Sequence, residues 1–391
     1  MRRSGLILTV VLLLALAAAG IAGYLFFGRG NTAVAERNVS RVRQDDISGT
    51  PAAEIGSGGS LDQGWYQLYF TQPKYPDNPA NHRGGLDEKL VALMDRAQTS
   101  LDVADYDFDL PNVADAMVRA KARGVTVRMV TDSDTLNDEK NEEIQAAFRK
   151  LRGARIPIVD DKRGPIMHHK FTVVDGEWVS TGSWNYTTGD TYRLNNHMIV
   201  IRSRELAANY TGEFQKMFDN KQFGPNKTKG VPNPVITING TRIESYFAPK
   251  DGVEDQIVSE IKGARRSIYF LAFSFTADKI AEAMLERRAA GAALGGVFER
   301  TGSETEYSEY TKLKRRGVEV YQDGNPWVMH HKVIIIDERI VIIGSFNFSD
   351  NADTQNDENL LIVHNPDIAR AFKAEYDRIV ALAKNPPPKK K

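Results

Sequence analysis

The sequence contains no cysteine. That excludes disulfides, thiolate metal sites and a cysteine nucleophile, and it removes redox state as a guide to compartment. Neither sign of charge is in excess, since Lys plus Arg and Asp plus Glu both number 51. A chain with no net charge lacks a whole-molecule grip on nucleic acid, which leaves only a local basic cleft for such a task. Apolar residues make up 41% and charged residues 26%, the profile of a folded globular protein. The 391 residues suffice for one large domain or two ordinary ones.

One long uncharged apolar run is present, at residues 6–27, preceded by Arg2 and Arg3. As a helix, 22 residues can cross a hydrocarbon core of roughly 30 Å. The apolar region of a cleaved signal peptide is usually shorter; "LAAAG" offers small residues for cleavage, but "YLFF" prolongs the run. Residues 1–30 therefore read as an N-terminal transmembrane anchor, with a signal peptide as the alternative. The basic start favours export, so the expectation is a single-pass membrane protein with its body on the extracytoplasmic side, or a secreted one after cleavage. Residues 31–64 are polar and include "GSGGS", a flexible linker. Residues 383–391, with "PPPKKK", read as a disordered basic tail.

Between these ends the chain repeats itself. "SLDVADYDF" at Ser100 matches "SIYFLAFSF" at Ser267, and "VADAMVRAKARGVTVRMV" at Val113 matches "KIAEAMLERRAAGAALGGVF" at Lys279. "GEFQKMF" at Gly212 matches "AEYDRIV" at Ala374. Each half alternates short apolar strands with amphipathic helices, which implies an α/β fold. The expected repeats span residues 65–220 and 243–382, joined by a Gly/Pro/Asn-rich linker at 221–242. Two such halves are expected to pack as a pseudo-twofold pair within a monomer, each a mixed, mostly parallel sheet flanked by helices.

The repeat carries a polar motif. "MHHKFTVVDGEWVSTGSWN" (residues 167–185) returns as "MHHKVIIIDERIVIIGSFN" (residues 329–347). His168, Lys170, Asp175, Gly182, Ser183 and Asn185 recur 162 positions later as His330, Lys332, Asp337, Gly344, Ser345 and Asn347. Residues two apart on a strand share a face, so each histidine points with its lysine and each serine with its asparagine. Asp175-Gly176 is a hairpin turn signal, and a hairpin would gather these groups at one point. An ammonium, an amide and a hydroxyl suit an anionic phosphate and its developing charge. A metal is the rival occupant, but the lysines would repel it and no carboxylate cluster accompanies the motif; neither metal nor cofactor is expected. If the two copies meet, one imidazole can attack phosphorus while the other protonates the departing oxygen. Their pKa values must then be pushed apart, and a bell-shaped pH–rate profile should follow.

At these motifs the sequence resembles the phospholipase D superfamily, whose signature is His-x-Lys, four residues, Asp, six residues, Gly-Ser-x-Asn. Both copies fit without a gap, and the resemblance spans residues 65–381. It implies two phospholipase D-like repeats and metal-independent phosphodiester cleavage through a phosphohistidine. It also implies His168 as nucleophile and His330 as general acid, with Lys170, Lys332, Asn185 and Asn347 on the phosphate and Ser183 and Ser345 beside them. Asp175 and Asp337 would be structural within the hairpin. His169 and His331 occupy the variable position and are expected to face away. Family members carry an acidic residue beyond the motif that orients a catalytic histidine. Here that residue is Glu358 in the second half, but Asn196 stands at the matching place in the first. One histidine would thus have a carboxylate and the other a neutral amide, and the sequence leaves open which.

Three substrates fit the resemblance. The compact halves resemble a bacterial nuclease branch, which favours DNA or RNA. The apolar run places the protein among phospholipids, and phospholipid hydrolysis is the leading expectation. Phosphatidyl transfer, as in bacterial cardiolipin synthases, usually goes with two membrane spans, and this chain shows one. A membrane-tethered phosphate-binding protein without turnover is the reading from a different class.

Overall fold

A computed structural model describes residues 60–388. The expected anchor at 1–30, nearly all of the 31–64 linker and the last three residues lie outside it. Among the described residues no helix is long and apolar enough to cross a membrane.

Two eight-stranded sheets hold the molecule. The first contains β1 (Ser60–Asp62), β2 (Tyr66–Phe70), β3 (Ser100–Asp105), β4 (Thr126–Thr131), β5 (Ile158–Asp160), β6 (Lys170–Val174), β7 (Trp178–Gly182) and β8 (His197–Arg202). The second contains β9 (Val235–Ile238), β10 (Thr241–Ala248), β11 (Ser267–Ala272), β12 (Ala293–Phe298), β13 (Glu319–Gln322), β14 (Lys332–Ile336), β15 (Ile340–Gly344) and β16 (Glu358–His364). The spatial order is β1-β2-β8-β7-β6-β3-β4-β5, repeated as β9-β10-β16-β15-β14-β11-β12-β13. The sheets are mixed, but antiparallel pairing outweighs parallel. Among the strands of the described residues, β3-β4-β5 and β11-β12-β13 alone run parallel. The reason is local: crossover helices such as Pro111–Ala122 and Asp278–Ala289 feed only those strands, whereas a tight turn inside each motif forces an antiparallel hairpin.

That hairpin explains two motif residues. Asp175 and Gly176 both take positive φ, 54° and 60°, as do Asp337 and Glu338 at 54° and 53°. This is the turn pattern that matches strand twist. The Asp175 carboxylate then accepts the backbone N–H groups of Gln98, Thr99 and Ser100, and Asp337 does the same for Arg265, Arg266 and Ser267. Both aspartates staple the turn to the start of the neighbouring strand, at the far end of the hairpin from the histidine.

Two segments expected as linker are sheet. Ser60–Asp62 pairs with β2, and Val235–Ile238 pairs with β10. Alternating "VITI" followed by Asn239-Gly240 is a hairpin signal that the Gly/Pro/Asn richness of the segment hides. At the other end, the helix Pro366–Lys384 runs two residues into the expected tail.

Each lobe has its own outer core, and a third core lies between the lobes. The central one joins Phe171, Tyr210 and Phe214 of the first half to Phe247, Val333 and Phe372 of the second. Phe70 meets Phe372 edge-on at 5.0 Å, and Tyr210 meets Phe247 at 5.1 Å. Burying rings of both lobes in one cluster ties the halves into a unit, because each aromatic side chain removes a large apolar area from water.

Candidate active site

The strand starts of β6 and β14 deliver the motif histidines to the junction of the lobes. Each histidine is fixed there by the backbone of the opposite half. His168 N–H donates to the Asp357 carbonyl at 2.9 Å, and His330 N–H donates to the Asn195 carbonyl at 3.0 Å. The side chains cross the junction too. His168 Nδ1 lies 2.8 Å from both carboxylate oxygens of Glu358, and His330 Nδ1 lies 3.0 Å from Asn196 Oδ1.

The expected asymmetry takes a different form. His330 has a carboxylate after all, since Asp190 Oδ1 sits 3.2 Å from its Nδ1. Asn196 serves as a bridge, its Nδ2 donating to Asp190 and its Oδ1 facing His330. In the second half the position matching Asp190 is Ala352, and the acid has moved to Glu358. A comparison of positions 190 and 352 together with 196 and 358 holds the signal; position 196 alone suggests a missing acid.

The serines also depart from expectation. Ser183 Oγ donates to Asn196 Oδ1 at 2.8 Å, and Ser345 Oγ donates to Glu358 Oε2 at 2.6 Å. A hydroxyl has one proton to give. Both serines therefore hold the orienting residue of the opposite lobe's histidine instead of offering a donor to phosphate. The glycine before each is required by space. Gly182 and Gly344 have φ of 156° and 153°, and a Cβ on either would stand 2.2 Å from the carbonyl oxygen of His197 or Asn359.

Lys170 and Lys332 each donate to the carbonyl of their own histidine at 2.8 Å. Lys170 lies over the Tyr106 ring and Lys332 over the Phe273 ring, and the same rings meet His168 and His330 edge-on. An ammonium has three donors, so two remain for a ligand. Asn185 and Asn347 stand with them, and the Oδ1 of each is a buried acceptor with no hydrogen-bond partner.

The charges of the two motifs act on one another across the junction. Burial, then Lys170 and then Lys332 push His168 well below its ordinary value. Burial and Lys332 push His330 down to about 3, against the upward pull of Asp190. Lys170 falls to about 8 through burial, opposed by Glu358 and Asp105. Burial and the repulsion of Lys170 take Lys332 well below its usual range. Burial raises Glu358 to about 7, against Lys170 and the Ser345 hydrogen bond. Two neutral imidazoles between two lysine side chains suit an anion.

His169 and His331 point away from this centre into matching buried pairs. His169 Nε2 lies 3.3 Å from Glu213, and His331 Nε2 lies 3.0 Å from Glu375. Each glutamate also pairs three residues on, with Lys216 or Arg378. In the first half alone, Lys227 from the expected linker adds to the cluster. It contacts Glu213, lies 2.8 Å from Asp357 and donates to the Ala248 carbonyl.

With this geometry in place the likeness to known proteins can be weighed. The family described as "Cardiolipin synthase, PLD-like domain" matches residues 90–218 and 257–380. The chain belongs to the phospholipase D-like family. It is 32% identical over 138 residues to a phospholipase D of Rickettsia bellii, covering 35% of this chain and 69% of that protein. It is 32% identical over 140 residues to a mitochondrial cardiolipin hydrolase of Xenopus tropicalis, covering 36% and 64%. The solved phosphatidylserine synthase of Haemophilus influenzae is similar in fold over 83% of this chain and 88% of its own, with TM-score 0.61 and 11% identity.

Proposed function

We propose that this phospholipase D-like chain hydrolyses phospholipid phosphodiester bonds through a phosphohistidine at His168. The observation that carries this reading is the pairing of His168 Nδ1 with Glu358 at 2.8 Å. A carboxylate accepting the Nδ1 proton fixes the tautomer in which Nε2 holds a lone pair. Nε2 forms the bond to phosphorus as the ester P–O bond breaks, and His330 Nε2–H gives its proton to the departing alcohol. His330 is neutral in the free site, so it must gain that proton when substrate binds. A phosphodiester anion beside it favours the charged form, and Asp190 balances it from behind. Water then attacks phosphorus, its proton passes to His330, and the P–N bond breaks. Lys170 and Lys332 neutralise the phosphoryl oxygens during both steps, and the amides of Asn185 and Asn347 donate hydrogen bonds to them.

The lipid part of the reading draws on the apolar run at residues 6–27, which would hold the body at a bilayer, and on relatives named phospholipase D and cardiolipin hydrolase. The test offers the full chain phosphatidylcholine, phosphatidylethanolamine, cardiolipin, single-stranded DNA and plasmid, all with EDTA. Cleavage of lipid, with ethanol diverting part of the product to the ethyl ester, is expected. Cleavage of DNA alone would overturn the substrate, and loss of all turnover in EDTA would overturn the chemistry.

A further inference from the structure

A second cluster of ligand-type side chains lies away from the catalytic centre. Glu244 on β10, His364 at the end of β16 and Glu260 on the helix Val253–Gly263 bring one potential ligand atom each within 4.8 Å of one another. The sheet sets the first two. Arg242 is directly opposite His364 in the β10–β16 ladder, and Glu244, two residues on, shares its face. The helix lays Glu260 across them. Glu358 opens β16 and His364 closes it, so the cluster is roughly 20 Å from the catalytic glutamate at the rise of a strand.

The pairings within the cluster are incomplete. Glu244 receives the Tyr246 hydroxyl at 2.7 Å, Arg242 at 3.0 Å and His364 Nε2 at 3.0 Å. Glu260 makes no hydrogen bond or ion pair among the described residues, although it is half-buried and faces the carboxylate of Glu244. Two carboxylates brought together repel each other unless cations balance both. Besides His364, the cation beside them is Arg242, which bonds Glu244 and has a side chain 52% exposed. Such an exposed ion pair contributes little and can swing aside.

We propose that Glu244, Glu260 and His364 form a divalent-cation site of zinc type, in which Arg242 occupies the cation's place when no metal is bound. One imidazole nitrogen and two carboxylate oxygens are the mixed donor set that zinc accepts, with a fourth position for water. His364 Nε2 and Glu244 are already 3.0 Å apart, and the three ligand atoms lie within 4.8 Å, so small side-chain rotations close the shell as Arg242 leaves. Tyr246 is the outer support, orienting Glu244 through its hydroxyl. The ion would tie the helix Val253–Gly263 to β10 and β16, a structural task separate from turnover.

The test titrates zinc into the tag-free full chain after EDTA treatment and dialysis, by calorimetry and by thermal unfolding. One ion per chain and a raised Tm are expected. His364→Ala and Glu260→Gln should each weaken binding by more than about tenfold, and Tyr246→Phe by about tenfold. Arg242→Ala should bind more tightly than the parent, which a general loss of structure cannot produce. Absence of zinc-dependent heat and Tm shift in the parent would overturn the site. So would binding that neither His364→Ala nor Glu260→Gln weakens, or an Arg242→Ala variant with weaker affinity.

Discussion

Glu358 Oε2 of the second lobe lies 2.8 Å from His168 Nδ1 of the first. The same oxygen accepts the Ser345 hydroxyl at 2.6 Å. The carboxylate is thus oriented by its own lobe and spent on the other's histidine. Glu358→Gln keeps the size but returns an amide that holds the wrong tautomer as readily as the right one. The expected result is a fall in kcat of about 10² or more with KM within a few-fold, read by steady-state kinetics on a soluble short-chain phosphodiester. An unchanged kcat would remove Glu358 from the mechanism.

The two histidines should fail differently. His168→Ala loses the atom that binds phosphorus and should be inactive with every substrate. His330→Ala loses the acid, which matters little when the leaving group is as acidic as p-nitrophenol. With such a substrate His330→Ala should release about one equivalent of phenolate in a burst and then stall, because the base that activates water is gone as well. Acid-labile phosphate on His168, detected by mass spectrometry, would accompany the burst. Equal inactivity of both variants without a burst would contradict the division of roles.

The pH dependence follows from the groups around the histidines. Burial raises Glu358 to about 7, so acidification below that value protonates it and removes the acceptor for His168 Nδ1–H. Burial lowers Lys170 to about 8, so alkalinisation above that value removes a charge from the phosphate site. His168 itself lies well below its ordinary value and is already neutral in this range. The plot of kcat/KM, which reports the free enzyme, should therefore be bell-shaped with limbs near these two values. Lys170→Arg should shift the alkaline limb at reduced activity, because a guanidinium keeps its proton while Lys332 still titrates.

Much of this arrangement was legible because the duplication reveals it. Every polar position of the His-x-Lys and Gly-Ser-x-Asn motifs is kept across 162 residues, and the hydrogen bonds of His168 and His330 cross the junction of the lobes. What the sequence hides is set by contacts between lobes. Asp190, on the short helix Thr188–Tyr192, reaches His330 across the junction, and no spacing rule links position 190 to 330. The serines look like phosphate donors by type, yet the close pass of β7 on β8 at Gly182 turns Ser183 toward Asn196. Glu213 and Glu375 stand at matching places in the terminal helices, but their purpose appears only when His169 and His331 are seen facing them.

Asp175 separates stability from chemistry. Its carboxylate accepts three backbone N–H groups at 2.7–3.0 Å, and they hold it below the usual carboxylate range despite burial. Asp175→Ala should cost about 2–3 kcal/mol in urea unfolding, the worth of hydrogen bonds to a charged acceptor. Turnover per folded molecule should stay within about twofold, since the residue sits at the opposite end of β6 from Lys170. A large drop in kcat with unaltered stability would make it part of the site.

Lys227 is the strongest structural demand that the first lobe makes on the segment between the repeats. It is 3% exposed and is shared between Glu213, which contacts His169, and Asp357, whose carbonyl holds the His168 N–H. Burial alone would raise Glu213, but Lys227 and His169 hold it well below the carboxylate range. Lys227→Met fills the volume without the charge and takes a buried cation from two buried carboxylates. The loss should be about 3–5 kcal/mol, because breaking one side of a buried pair leaves an uncompensated charge. Asp357 retains Arg163 at 2.6 Å while Glu213 keeps only the longer contact with Lys216 at 3.2 Å, so Glu213 should carry most of that cost. Adding Glu213→Gln to Lys227→Met should then restore stability relative to Lys227→Met alone. A double-mutant cycle by urea unfolding decides it, and additive losses would show that Lys227 acts through Asp357 instead.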